Sequence, residues 1–130
     1  MLESVFAELK KLEKEIDVFD DQISFCFFCE LVPDVDSLKP VLVRNKVIGP
    51  EDEITLEVVE DVSADVLTIC SEWRFGTDVS SRLCSIALGA DVYYRMSATG
   101  SYALYGYLTS ECRVLSVDGL FVLLEFDIVD

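Results

Sequence analysis

Cys26 and Cys29 are separated only by two phenylalanines. A Cys-x-x-Cys spacing can supply half of a tetrahedral zinc site, or a redox pair if it opens a helix whose N-terminus lowers a thiol pKa. Neither context is present here. A zinc knuckle needs the pair in a tight turn, yet the intervening residues are bulky and apolar. The stretch 23–32 is almost continuously apolar and rich in Phe, Val and Ile, which predicts a central strand covered on both faces. Side chains alternate across a strand, so positions three apart point to opposite faces. Cys70, Cys84 and Cys112 stand alone in apolar segments. The five cysteines are expected to be reduced core residues of an intracellular protein, with no metal and no cofactor.

Other nucleophilic or acid–base combinations are equally sparse. The chain has no histidine, so the commonest general base and metal ligand is missing. The hydroxyls and thiol at residues 80–85 have no imidazole to activate them. Glu72 beside Trp73 is read as a solvated strand residue rather than a carboxylate in an apolar pocket. Gly-x-Ser-x-Gly, phosphate-loop and dinucleotide patterns are absent from the sequence. No catalytic residue is assigned, and the expectation is a protein that is not an enzyme.

Charge is more informative. The formal net charge is −15. Residues 1–65 carry 17 acids against 6 bases, and residues 66–130 carry 8 against 4. Such a field repels nucleic acid and anionic lipid and favours a basic protein partner. Within residues 51–61 there are six acids and no base. Glu51, Glu53, Glu57 and Asp61 share one strand parity, and same-face neighbours in a strand lie about 7 Å apart. Duplex DNA carries charge at a comparable pitch along each strand. These four carboxylates are therefore the expected partner-binding residues. Ile54, Leu56 and Val58 take the opposite parity, towards a core.

A second candidate surface is aromatic. Tyr93, Tyr94, Tyr102, Tyr105 and Tyr107 cluster in the second half, and tyrosine suits both strands and interfaces. Tyr105 and Tyr107 are added to the expected partner-binding set, with homodimerisation as the alternative use. RNA binding by these rings would need a basic surround, and only Arg95 and Arg113 are near.

The elements that must position these groups follow from periodicity. Residues 2–17 place Leu2, Val5, Phe6, Leu9, Leu12 and Ile16 at helical spacing. Residues 41–48, 53–60 and 65–75 read as further strands, with Gly49-Pro50 as a turn. Residues 76–90 read as a helix capped by Thr77 or Asp78, with Val79, Leu83, Ile86 and Ala87 as its apolar stripe and Gly89 as its stop. Residues 91–97 and 101–108 read as strands around a turn. Residues 112–117 and 120–129 form a hairpin about Asp118-Gly119. The sum is a single domain, 1–130, of α+β class: a mostly antiparallel sheet with two helices on one face.

The stretch from Trp73 onward resembles the YubB-type ferredoxin-like domain of phage and plasmid proteins. The similar features are Glu72-Trp73 closing a strand, the helix at 78–88, the strand at 91–96 and the Tyr-Gly-Tyr of 105–107. The resemblance implies a ferredoxin-like βαβ arrangement in the second half and a mobile-element origin. It carries over no site residues.

No apolar run approaches the about 20 residues of a membrane span, and no secretory signal is read, so a cytoplasmic location is expected, that of the host cell if the protein is viral. The functional expectation is an acidic binding protein, a phage or mobile-element inhibitor of anti-defence or DNA-mimic type. It would block a basic nucleic-acid-binding site on a partner protein without touching nucleic acid itself. The alternatives are an assembly protein that dimerises through its tyrosine-rich sheet and a toxin-neutralising immunity protein.

Overall fold

The computed structural model describes residues 2–16, 18–20, 23–98 and 108–129. The fold is α+β, built on a six-stranded antiparallel sheet of order β1-β2-β6-β5-β4-β3. The chain runs α1 (Leu2–Glu15), β1 (Val18–Asp20), β2 (Ile23–Val32), a short 3-10 turn (Val35–Ser37) and α2 (Leu38–Arg44). It continues through β3 (Ile54–Val58), α3 (Val62–Glu72), α4 (Thr77–Leu88), β4 (Val92–Ala98), β5 (Leu108–Val117) and β6 (Leu120–Val129). No helix among the described residues is long and apolar enough to cross a membrane.

Strand alternation divides the core in two. Phe25, Phe27 and Cys29 of β2 pack with Leu115 and Val117 of β5 and with Val122, Leu124 and Phe126 of β6. Leu9 and Leu12 of α1, Val66, Ile69 and Cys70 of α3, and Leu83 and Ala87 of α4 cover that face. The opposite face holds Val32, Met96, Cys112, Val114 and Leu123, covered by Leu38 and Leu42 of α2 and by Val47 and Ile48. The sheet is thus sheathed on both faces, by three helices on one and α2 on the other, instead of carrying two helices on a single face.

The two additional helices replace two expected strands, and the reason is the same in each. Residues 41–48 are rich in valine and residues 65–75 contain Val66, Thr68 and Ile69, a composition that favours strands. The winning signal is the 3.6-residue period. Leu38 and Leu42 are completely buried. Val66, Ile69, Cys70 and Trp73 line one face of α3 and are each no more than 2% exposed. Start signals were present too. Asp34 accepts from the Ser37 amide and hydroxyl at the head of the turn that feeds α2. Pro40 falls in the first turn of α2, where a missing N–H costs nothing. Asp61 caps α3 by accepting from the Ala64 amide at 3.1 Å.

The stop signals were hidden, because neither helix ends in glycine. After α2, Val47 N–H donates to Leu42 O and Lys46 N–H to Val43 O. After α3, Phe75 N–H donates to Cys70 O and Arg74 N–H to Ser71 O. Both are Schellman closures. Their left-handed residues are Lys46 (φ 63°) and Arg74 (φ 59°). The strand–helix–strand unit expected at 65–97 is therefore helix–helix–strand: α3 and α4 together join β3 to β4, its antiparallel neighbour. Gly76, not Thr77 or Asp78, occupies the N-cap of α4.

The hairpin is as expected. Asp118 (φ 52°) and Gly119 (φ 81°) form its two-residue turn, with Val117 opposite Leu120. Both positive φ values identify a type I′ turn, which matches the twist of the flanking strands.

Lys46 is exposed and holds a backbone conformation that costs an L-residue about 1–2 kcal/mol. Lys46→Gly is expected to raise stability by about 1 kcal/mol once the greater freedom of the unfolded glycine is discounted. A urea melt checks this, and a lower midpoint would show that the lysine side chain itself holds the turn.

Candidate functional site

The acidic segment lies along one edge of the sheet. Glu57 sits on β3 opposite Arg95 of β4. Glu53 precedes the strand, Glu51 belongs to the turn before it, and Asp61 is the cap of α3. The four carboxylates are all exposed, but they are distributed over a turn, a strand and a helix cap instead of one strand row. Ile54 and Leu56 are half-buried against the α2 side, as their parity required. Val58, on the same face, is 57% exposed.

The edge is held by a buried ion cluster beneath it. Asp65, on the first turns of α3, accepts from Arg113 Nε at 2.7 Å and Nη2 at 3.2 Å. It also accepts from Arg95 Nη2 at 2.8 Å and from Tyr93 Oη at 2.5 Å. Burial would raise the Asp65 carboxyl, but the hydrogen bonds from Arg113, Tyr93 and Arg95 together outweigh it and hold the group at about 2. Arg113 is itself buried and is shared with Glu111 and the Cys112 carbonyl. Arg95 Nη1 reaches Glu57 at 4.0 Å. One guanidinium thus spans from a buried carboxylate to the exposed edge.

Tyr93 is buried and engaged with Asp65, and Tyr94 packs against Phe121 with ring centroids 6.5 Å apart. Tyr102, Tyr105 and Tyr107 lie outside the described residues, as does most of the strand expected at 101–108 and the Tyr-Gly-Tyr of the family resemblance. Glu72 and Trp73 end a helix, not a strand: Glu72 is exposed and Trp73 is 2% exposed.

Cys26 and Cys29 pair in regular register with Asp127 and Leu124 of β6 and so face opposite sides of the sheet. Their separation along a strand is about 10 Å, which a disulfide cannot span. Cys29 is buried in the core, and burial pushes its thiol up to about 12. Its backbone has a separate use. Beyond the three residues paired with β1, the outer edge of β2 would be open. There Glu13 accepts from Cys29 N–H at 2.9 Å and Lys10 donates to Cys29 O at 2.7 Å. Two side chains of α1 thereby close this edge.

A second polar cluster went unread in the sequence. Glu125 and Asp127 lie two apart on β6, on one face, and each is 4% exposed. Ser110 Oγ donates to Asp127 at 2.5 Å and Asn45 Nδ2 donates to Glu125 at 3.2 Å. The pair lines a cleft of about 460 Å³ shared with Lys10, Glu13, Glu30 and Asn45. Burial, then the hydrogen bond and charge of Asp127, push Glu125 up to about 9. Burial beside a second carboxyl thus favours the protonated form of Glu125. The available signal was two acids at strand spacing inside an otherwise apolar run, which places both on one buried face. Comparison of the chain with family models, curated proteins and solved structures finds no match.

The two clusters titrate in opposite senses. The carboxyl of Asp65 lies below its ordinary value, so its contribution is complete above about 4 and is lost as pH falls towards 2. Asp65→Ala leaves Arg113 buried without its main partner and is expected to cost about 3–5 kcal/mol. Glu57→Ala, at the exposed end of the same network, is expected to stay within about 0.5 kcal/mol. Equal losses from the two variants in denaturant melts would contradict this division.

Glu125 lies above its ordinary value. Its contribution is therefore complete below about 4.5 and disappears as pH rises through about 9. Glu125→Gln keeps a donor towards Asp127 and removes the titration. Thermal melts from pH 5 to 10 should fall for the parent and run flatter for the variant. Parallel curves would show that the carboxyl is already ionised in the folded protein.

Proposed function

We propose that the protein is a non-enzymatic acidic binding module whose exposed carboxylates at residues 51–61 engage a basic surface on a partner protein. The kind of surface that otherwise receives nucleic acid fits best, so the module acts as an inhibitor that competes for that site. The carrying observation is the density of exposed like charge. Six acids and no base occupy this segment, and Arg95 beside Glu57 is already committed to Asp65. Common exposure along a sheet edge supports the reading. A regular DNA-like pitch does not, because turn, strand and cap interrupt the row.

Charge of this kind acts first on encounter. Complementary potentials speed association, and added salt slows it. A partner captured at low ionic strength should elute as salt rises, and random-sequence DNA should compete with the protein for that partner. Asp61 is unsuitable for reversal because it caps α3, a contribution of about 1 kcal/mol. Glu51 and Glu57 are the better pair. Glu51→Lys with Glu57→Lys is expected to leave the melt within about 1 kcal/mol of the parent and to slow association with the captured partner by about tenfold. Unchanged association at low salt, with a normal melt, would make the segment a solvated edge and nothing more.

A further inference from the structure

The backbone of β3 adds a feature that charge alone does not use. Val59 N–H donates to Tyr93 O at 3.0 Å, which sets the phase of the β3–β4 ladder. Hydrogen-bonded pairs alternate along an antiparallel ladder. Residues 55, 57 and 59 therefore turn their backbone groups towards β4. The N–H and C=O groups of Ile54, Leu56 and Val58 turn outward. β3 is the last strand of the sheet, and no described residue pairs with that outward edge. The contrast with β2 is direct, since there Glu13 and Lys10 occupy the corresponding groups of Cys29.

We infer that the outer edge of β3 accepts an added strand from the partner, and that this strand alternates basic and apolar side chains. The inference rests on the functional reading above and specifies the partner's shape. A strand laid beside β3 would form main-chain hydrogen bonds with residues 54, 56 and 58. Its side chains would meet two unlike faces. On one, Thr55 and Glu57 are exposed, with the Glu57 side chain 73% exposed. On the other lie half-buried Leu56 and Val58 at 57% exposure. Lysine or arginine suits the first face and valine or leucine the second. Cross-strand neighbours of opposite charge or complementary apolar shape each add to the pairing, while like charges subtract. A second copy of this chain is disfavoured by the same rule, because it would join two chains of net charge −15 at their acidic edges.

The test uses the whole protein, labelled with nitrogen-15, and three synthetic probes. One is a short peptide alternating lysine and valine. The second is the same peptide N-methylated on alternate amides, which keeps its charge and removes strand pairing. The third is a lysine homopeptide of equal charge. The alternating peptide should slow amide exchange at Ile54, Leu56 and Val58 by about tenfold or more, with Glu57 little changed. It should also bind about tenfold more tightly than either control. Comparable, salt-dependent binding of all three without added protection at those amides would overturn strand addition and leave the electrostatic reading standing. No salt-dependent binding of any probe would overturn both.

Discussion

Asp65 is the group on which the arrangement turns. It joins α3 to the sheet through Arg113 of β5 and through Tyr93 and Arg95 of β4. Burying a lone carboxylate would be prohibitive, and a paired one survives only with its oxygens fully engaged. Four donor atoms from three side chains meet that demand. The effect reaches the surface. Arg95 is the cation nearest Glu57, yet it lies at 2.8 Å from buried Asp65 and 4.0 Å from Glu57. Attraction is stronger where water is excluded, so the guanidinium is held inward. The half-exposed Arg95 is therefore held mainly by Asp65, and less of its charge is left to soften the edge.

The same economy recurs among the other bases. Lys10 is divided between Glu13 and the Cys29 carbonyl, Arg44 pairs with Glu30, and Arg82 pairs with Glu15 and Asp78. Arg74 lies over the Phe25 ring. In a chain with ten bases and 25 acids, each such commitment leaves the remaining acids more exposed to one another. Self-repulsion of that kind lowers stability but keeps copies apart. It concentrates along residues 51–61, a run that contains no base of its own.

Several of these features could be read from residue order, and the exceptions have definite causes. Cys26 and Cys29 separated to opposite faces because alternation leaves an unbroken strand no choice. Asp118-Gly119 turned because both positions need positive φ, and aspartate and glycine tolerate it. α2 and α3 look like strands in sequence because their β-branched residues favour strands and because Lys46 and Arg74 stand where glycine usually signals a helix end. The same strand-like composition puts Asp61 on an apparent strand face and conceals Asp65 as a buried anchor. Glu125 and Asp127 escaped notice because a carboxyl in an apolar strand looks like an edge residue until the second face is known to be covered.

An open strand edge is a hazard that proteins close in different ways. Here the two sides of the sheet differ. The β2 edge is closed sterically and by hydrogen bonding, through Glu13 and Lys10 reaching the Cys29 backbone, and a partner could open it only by displacing α1. Along the described part of β3 the guard is charge. Exposed carboxylates on and beside the strand repel the same edge of another copy, yet they offer no barrier to a strand bearing the opposite sign. On the proposed reading, the charge that disfavours self-pairing on this side is also what would select a basic partner. The protection is conditional in a way that covering by a helix is not, and its strength falls as ionic strength rises. On that reading, self-avoidance and discrimination among partners would weaken together as salt rises, because one interaction underlies them.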